Sequence, residues 1–78
     1  MEEITTEQSE HVVTITMNRP DKKNAVNQAM YARMVELFEQ AESDENIRVV
    51  VLRGAGGNFT SGNDLGEFQQ VPEERDEP

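Results

Sequence analysis

Apolar and polar residues alternate near the N-terminus in a way that predicts a pair of β-strands. The segments Ile4–Gln8 and Val12–Met17 are separated by a short polar break of hairpin length. In the second segment Val13, Ile15 and Met17 fall on one face of the strand. We therefore expect a sheet with one face against the core.

From Asn27 onward the apolar residues recur with the period of an α-helix. Asn27 is a predicted N-cap, because its side chain can accept from the free N–H groups of the first helical turn. The apolar stripe consists of Met30, Met34, Leu37, Phe38 and Ala41. We expect this stripe to face the sheet.

A run of β-branched residues, Ile47–Leu52, predicts a third strand that is covered on both faces. Strand, helix and buried strand form a βαβ unit, so the last two strands should be parallel with a right-handed crossover. Beyond it we expect a glycine-rich turn at residues 54–58, a short strand at Phe59–Ser61, and a short helix from Asp64 to Gln70. The predicted fold class is therefore α/β: hairpin, helix, buried parallel strand and short helix.

Composition narrows the range of partners. The chain has 78 residues with 7 basic and 16 acidic side chains, a formal net charge of −9. Such a surface repels nucleic acid and anionic membranes, so we expect neither as a partner. The sequence has no cysteine and one histidine, and it predicts no metal site. The N-terminus is acidic and the longest apolar run, Val49–Leu52, is too short to span a bilayer, so we expect a soluble cytoplasmic or matrix-type protein.

Two loop segments carry the possible chemistry. The first, residues 18–25, concentrates Arg19, Lys22 and Lys23, which indicates either a site for phosphates or a solvated connection. The second, Phe59–Leu65, can present free backbone N–H groups to a developing oxyanion, or it can be an ordinary helix start. Local chemistry alone favours the structural interpretation of both segments.

Other features are better explained by structure than by chemistry. The glycine-rich turn follows a strand, but Phe59 stands where a dinucleotide-binding G-x-G-x-x-G motif needs its third glycine. A plain turn is the favoured interpretation. His11 has no predicted carboxylate or nucleophile partner, so we interpret it as an exposed structural residue and not as a general base.

In their order and spacing, the two loop segments resemble the signatures of a known family. Asn18–Asn27 is similar to the early signature of enoyl-CoA hydratase/isomerase (crotonase) proteins. Val49–Gly56 and Phe59–Leu65 together are similar to the next one, and the resemblance extends over residues 4–70. The string Ser61–Leu65 is most similar to the Δ3,Δ2-enoyl-CoA isomerase branch.

The resemblance implies a spiral of β-β-α units that binds an acyl-CoA thioester as substrate and uses no separate cofactor or metal. It implies that the backbone N–H of Asn63 is one donor of an oxyanion hole that stabilises a thioester enolate. The other substrate-binding residues that it implies are Lys23, Asn24 and Ala25 on the side of the CoA phosphates, and Ser61, Gly62, Asp64 and Leu65 on the side of the adenine and pantetheine. It also implies a homo-oligomer, a trimer or hexamer.

The resemblance further predicts that the chain is a fragment. Family members are several times longer, and their second oxyanion donor and catalytic glutamates follow the stretch present in this sequence. Residues 1–70 are therefore interpreted as the N-terminal part of a crotonase-like domain, and residues 71–78 as an acidic mobile tail or truncated linker. We expect the parent enzyme to hydrate a 2-enoyl-CoA or shift its double bond, and the 78-residue chain alone to be inactive. The alternative is a non-catalytic CoA-binding or protein-interaction module derived from the same fold.

Overall fold

A three-stranded mixed sheet organises the part of the chain that the computed structural model describes, residues 2–64. The strands β1 (Ile4–Ser9), β2 (Val12–Met17) and β3 (Val49–Gly54) lie side by side in that order, and helix α1 (Gln28–Ser43) connects β2 to β3. β1 and β2 are antiparallel, whereas β2 and β3 are parallel. The predicted α/β class and the parallel pairing across the helix are confirmed.

A two-residue turn, Glu10–His11, joins β1 to β2. Glu10 has a φ of 56°, in the left-handed region. The His11 ring binds the carbonyl of Asn46 at 2.8 Å, and because a carbonyl only accepts, Nδ1 carries the hydrogen. The His11 carbonyl accepts from the N–H of Arg48 at 2.8 Å. His11 is therefore an exposed structural residue, as predicted, that connects the hairpin to the start of β3.

Helix α1 begins at its predicted cap and buries Met30, Met34 and Leu37 of its predicted stripe, whereas Ala41 is half-buried and Phe38 is exposed. The Asn27 side chain accepts from the Met30 N–H at 2.8 Å. The core contains Ile4, Val13, Ile15, Met17, Val26, Met30, Met34 and Leu37. Phe38 was predicted to be in this core but is 42% exposed. It lies roughly 80° around the helix from Met30 at about 3.6 residues per turn, which places it at the edge of the stripe.

The burial of β3 was predicted wrongly. Within residues 2–64 the valines at positions 49–51 are 36–49% exposed, because α1 packs on β1 and β2. A helix is about 10 Å across and strands are about 4.8 Å apart, so one helix covers about two strands. The strand also begins later than predicted, since Ile47 lies in a turn where its N–H donates to the Asp44 carbonyl at 3.0 Å.

The loops after β2 and β3 each contain a short 3-10 helix, at Pro20–Lys22 and Ala55–Gly57. The second of these is the predicted glycine-rich turn. No strand forms at Phe59–Ser61, contrary to the prediction; a single parallel bridge joins residues 26 and 63 instead. The helix predicted to end at Gln70 and the tail predicted at residues 71–78 lie outside the described residues. Within residues 2–64, no helix is long and apolar enough to cross a membrane.

Candidate oxyanion site

The two sequence segments singled out for their chemistry meet at one edge of the sheet. The first loop, residues 18–27, follows β2, and the second loop, residues 55–64, follows β3. Because β2 and β3 are parallel, their carboxyl ends lie at the same edge, and the two loops leave the sheet side by side. The parallel pairing thus brings together motifs that are more than thirty residues apart in sequence.

Asn24 holds the two loops together from within. Its side chain is fully buried. Its Oδ1 accepts from the Arg19 N–H at 2.8 Å, and its Nδ2 donates to the carbonyls of Ala55 and Asn58, each at 2.8 Å. Buried polar atoms are costly to leave unpaired. The bond from Arg19 holds the side chain within the first loop, and the two bonds to Ala55 and Asn58 fix the spacing between the loops. The Asn24 carboxamide is therefore fully used within the chain.

The second loop folds back over the end of β3 so closely that glycine is required there. A Cβ placed at Gly54 would collide with the carbonyl oxygens of Asn58 and Phe59 and lie 2.8 Å from Asn24 Nδ2. The φ of Gly54 is −118°, which any residue adopts. Space, and not backbone conformation, is what selects glycine at this position.

Further along, the second loop runs beside the first with strand-like hydrogen bonds. The Ser61 N–H donates to the Lys23 carbonyl at 3.0 Å, and the Asp64 N–H donates to the Val26 carbonyl at 2.9 Å. Between them, the Val26 N–H donates to the Gly62 carbonyl at 2.8 Å. These three bonds fix the backbone on both sides of Asn63.

The Asn63 N–H points away from this pairing. In a trans peptide the C=O and N–H point in opposite directions, and the Gly62 carbonyl of this peptide is bound to Val26. Gly62 itself has a φ of +100°, a conformation that favours glycine. No oxygen within residues 2–64 accepts from the Asn63 N–H. The fold therefore presents an oriented backbone donor, which is the geometry that an oxyanion hole needs.

Arg19, which the sequence placed in a possible phosphate site, is turned inward. Its Nη1 donates to Asp64 Oδ2 at 2.8 Å and to the Ala25 carbonyl at 3.0 Å. The hydrogen bond to Asp64 raises the pKa of the Arg19 guanidinium above its ordinary value. Arg19 therefore braces the two loops, and of the three basic residues in this cluster only Lys22 and Lys23 are exposed to a ligand.

The structure brings the predicted site residues together, except Leu65, which lies outside the described residues. Three residues that contribute to the site were not predicted from the sequence: Val26, Thr60 and Tyr31. The first two lie inside the recognised motifs, but nothing in the sequence indicates which backbone groups they bind. Tyr31 is on the exposed part of α1, and its hydroxyl donates to Asn63 Oδ1 at 2.5 Å. Tyr31 lies outside both motifs and 32 residues from Asn63 in sequence, so the sequence gave no signal of this contact.

A family profile described as Enoyl-CoA hydratase/isomerase matches residues 7–77. The chain belongs to this family. It is 45% identical over 60 residues to the mitochondrial Delta(3,5)-Delta(2,4)-dienoyl-CoA isomerase of Mus musculus, a match that covers 77% of this chain and 18% of that protein. It is 40% identical over 72 residues to the 1,2-epoxyphenylacetyl-CoA isomerase of Escherichia coli K12, covering 92% of this chain and 28% of that protein.

Solved structures share the fold. The enoyl-CoA hydratase of Mycobacterium tuberculosis superposes with a TM-score of 0.85 at 37% identity, over 90% of this chain and 32% of that one. The enoyl-CoA hydratase/isomerase of Pseudoalteromonas atlantica superposes with a TM-score of 0.85 at 35% identity, over 91% of this chain and 29% of that one. The predicted N-terminal part of a crotonase-type fold is confirmed. The chain spans between 18% and 32% of the length of these four proteins.

Proposed function

We propose that this segment supplies one wall of the acyl-CoA site of an enoyl-CoA hydratase or isomerase, with the Asn63 N–H as an oxyanion-hole donor. The observation that carries the proposal is the 2.8 Å hydrogen bond from Val26 to the Gly62 carbonyl, which directs the Asn63 N–H away from the loop pairing. Hydration of a 2-enoyl thioester and migration of its double bond both place negative charge on the thioester oxygen. A fixed backbone donor stabilises that charge as it develops.

The CoA part of the substrate is proposed to lie along the two loops. Lys23 is exposed, and its carbonyl accepts from the Ser61 N–H at 3.0 Å, so the backbone of Lys23 lies beside the donor segment. Together with Lys22 it offers local positive charge to the CoA phosphates in a chain whose net charge is −9. Asp64 stabilises the two loops that form this wall, since its carboxylate pairs with Arg19.

The proton-transfer groups and the second oxyanion donor are proposed to come from polypeptide outside residues 2–64. The Asp64 carboxylate is paired with Arg19, and the Tyr31 hydroxyl is bonded to the Asn63 side chain. Neither is placed as a free acid or base. We therefore propose that the segment acts as the N-terminal part of a longer enzyme, and that the 78-residue chain has no turnover by itself.

The test is to delete the backbone donor alone, in the longer enzyme that carries this segment. Asn63→Pro removes the N–H, because proline has none. We expect kcat for a short-chain enoyl-CoA to fall by roughly 10²–10³, as for the loss of one oxyanion donor. Binding of free CoA should weaken much less than turnover, because the donor acts on charge that develops during the reaction.

Asn63→Ala is the matched control, because it keeps the N–H and removes the side chain together with its bond to Tyr31. We expect this variant to keep most of its activity. Circular dichroism and thermal melting must show that the proline variant is folded. A folded proline variant with near-normal kcat would remove Asn63 from the mechanism, and a large loss in the alanine variant would assign the role to the side chain.

A further inference from the structure

The Thr60 hydroxyl lies between the two loops of the site. It donates to the Asn24 carbonyl at 2.6 Å and accepts from the Gly62 N–H at 3.0 Å. A hydroxyl has one hydrogen and two lone pairs, so both bonds are satisfied at once. The side chain is half-buried, and it connects the first loop to the residue directly before Asn63.

The direction of the Asn63 N–H depends on the backbone conformation of Gly62. Its N–H belongs to the peptide on one side of its Cα, and its carbonyl belongs to the Gly62–Asn63 peptide on the other. Thr60 holds the first group at 3.0 Å and Val26 holds the second at 2.8 Å. Glycine has the widest backbone freedom of any residue, so both bonds are needed to fix its φ and ψ.

The other end of this connection is rigid. The carbonyl that accepts from Thr60 belongs to Asn24, whose own side chain is buried and bonded to Arg19, Ala55 and Asn58. A buried residue with every side-chain polar atom paired is a firm anchor. The Thr60 hydroxyl therefore holds the Gly62 backbone in a fixed position relative to the first loop.

From this geometry we propose that Thr60 is a positioning residue, whose hydroxyl fixes the direction of the Asn63 N–H by holding Gly62 to Asn24. The inference rests on the proposed function, since it assigns Thr60 to the same oxyanion donor. It predicts that the hydroxyl, and not the shape of the side chain, is what catalysis needs.

The experiment compares Thr60→Val, which keeps the shape, with Thr60→Ser, which keeps the hydroxyl, in the longer enzyme. We expect Thr60→Val to lower kcat about 10-fold with KM changed by less than about 3-fold, because the donor is misdirected but Val26 still holds the Gly62 carbonyl. Thr60→Ser should restore most of kcat. Thr6→Val, at an exposed position of β1, is the matched control and should leave kcat unchanged.

Each outcome decides between the proposals. A normal kcat in Thr60→Val, while Asn63→Pro still loses activity, overturns the role of Thr60 and keeps the oxyanion assignment. Equal losses in the valine and serine variants also overturn it, because the serine variant keeps the hydroxyl and should then keep most of its activity. A normal kcat in folded Asn63→Pro overturns the proposed function itself. Should Thr60→Val fail to melt cooperatively, Thr60→Cys replaces it under the same criteria, because a thiol is only a weak donor.

Discussion

Replacing Asn24 by alanine tests whether one buried side chain holds the site together. The change removes the partner of three groups at once: the Arg19 N–H and the carbonyls of Ala55 and Asn58. A buried group left unpaired costs about 1–3 kcal/mol; these three groups are part-buried, so the low end of that range applies and gives a total of about 3 kcal/mol. Alanine adds about 1 kcal/mol, because residue 24 has a φ of +59°, which asparagine tolerates better.

A loss of about 4 kcal/mol in the free energy of unfolding is large for residues 2–64. A core of this size seldom supplies more than about 3–5 kcal/mol. Two of the three lost bonds join the loops and none lies within the sheet, so the two loops should separate before the rest of the sheet unfolds. Urea unfolding followed by circular dichroism measures the total loss of stability in the proposed longer enzyme. Amide hydrogen exchange at Ser61 and Val26, whose N–H groups bond across the loops, reports the local opening.

Two further substitutions separate the contributions at this position. Asn24→Gly accommodates the left-handed φ and should be up to about 1 kcal/mol more stable than Asn24→Ala. Asn24→Asp keeps the size and the acceptor but loses both donors, so it should be destabilised as well. Asn58→Ala, at an exposed side chain on the same turn, should change stability by less than about 0.5 kcal/mol. An Asn24→Ala variant within about 1 kcal/mol of the wild type would refute the reasoning.

Two stability predictions concern single backbone positions and are measured by thermal melting. Gly54→Ala should cost about 3 kcal/mol, at the upper end of overpacking effects, because two carbonyls must move. Gly57→Ala, where a Cβ has open space, should cost less and show only the strain of its φ of +89°. Glu10→Gly should raise stability by about 0.5–1 kcal/mol, since glycine adopts the φ of 56° freely. Glu7→Gly, within β1, should lower stability instead. A Glu10→Gly variant no more stable than the wild type would contradict the turn geometry.

The elements that depend on local chemistry could be predicted from sequence. The alternation at Val13, Ile15 and Met17 predicted the buried face of β2, and Asn27 predicted the helix start. Both follow from side-chain periodicity and capping, which involve residues close in sequence. The family was also recognisable, because its two motifs lie intact within a short chain.

What the sequence could not predict depends on which elements become neighbours. The exposure of Val49 to Val51 depends on where one helix packs, and a β-branched run does not carry that information. Phe38 was assigned to the core for the same reason: the edge of a helical stripe is buried only if a neighbour reaches it. The predicted strand at Phe59–Ser61 was replaced by a single bridge between residues 26 and 63, since the second loop pairs with a loop and not with the sheet.

By itself, the sequence determined the order of elements, the family and the residues that could carry chemistry. The tertiary structure decided what those residues do. Pairing β2 parallel to β3 places two distant loops side by side, which turns Arg19 inward toward Asp64 and buries Asn24 between them. It also points one N–H, that of Asn63, away from the pairing. The direction of a backbone donor depends on which carbonyl holds its peptide, and that partner is chosen only when the chain folds.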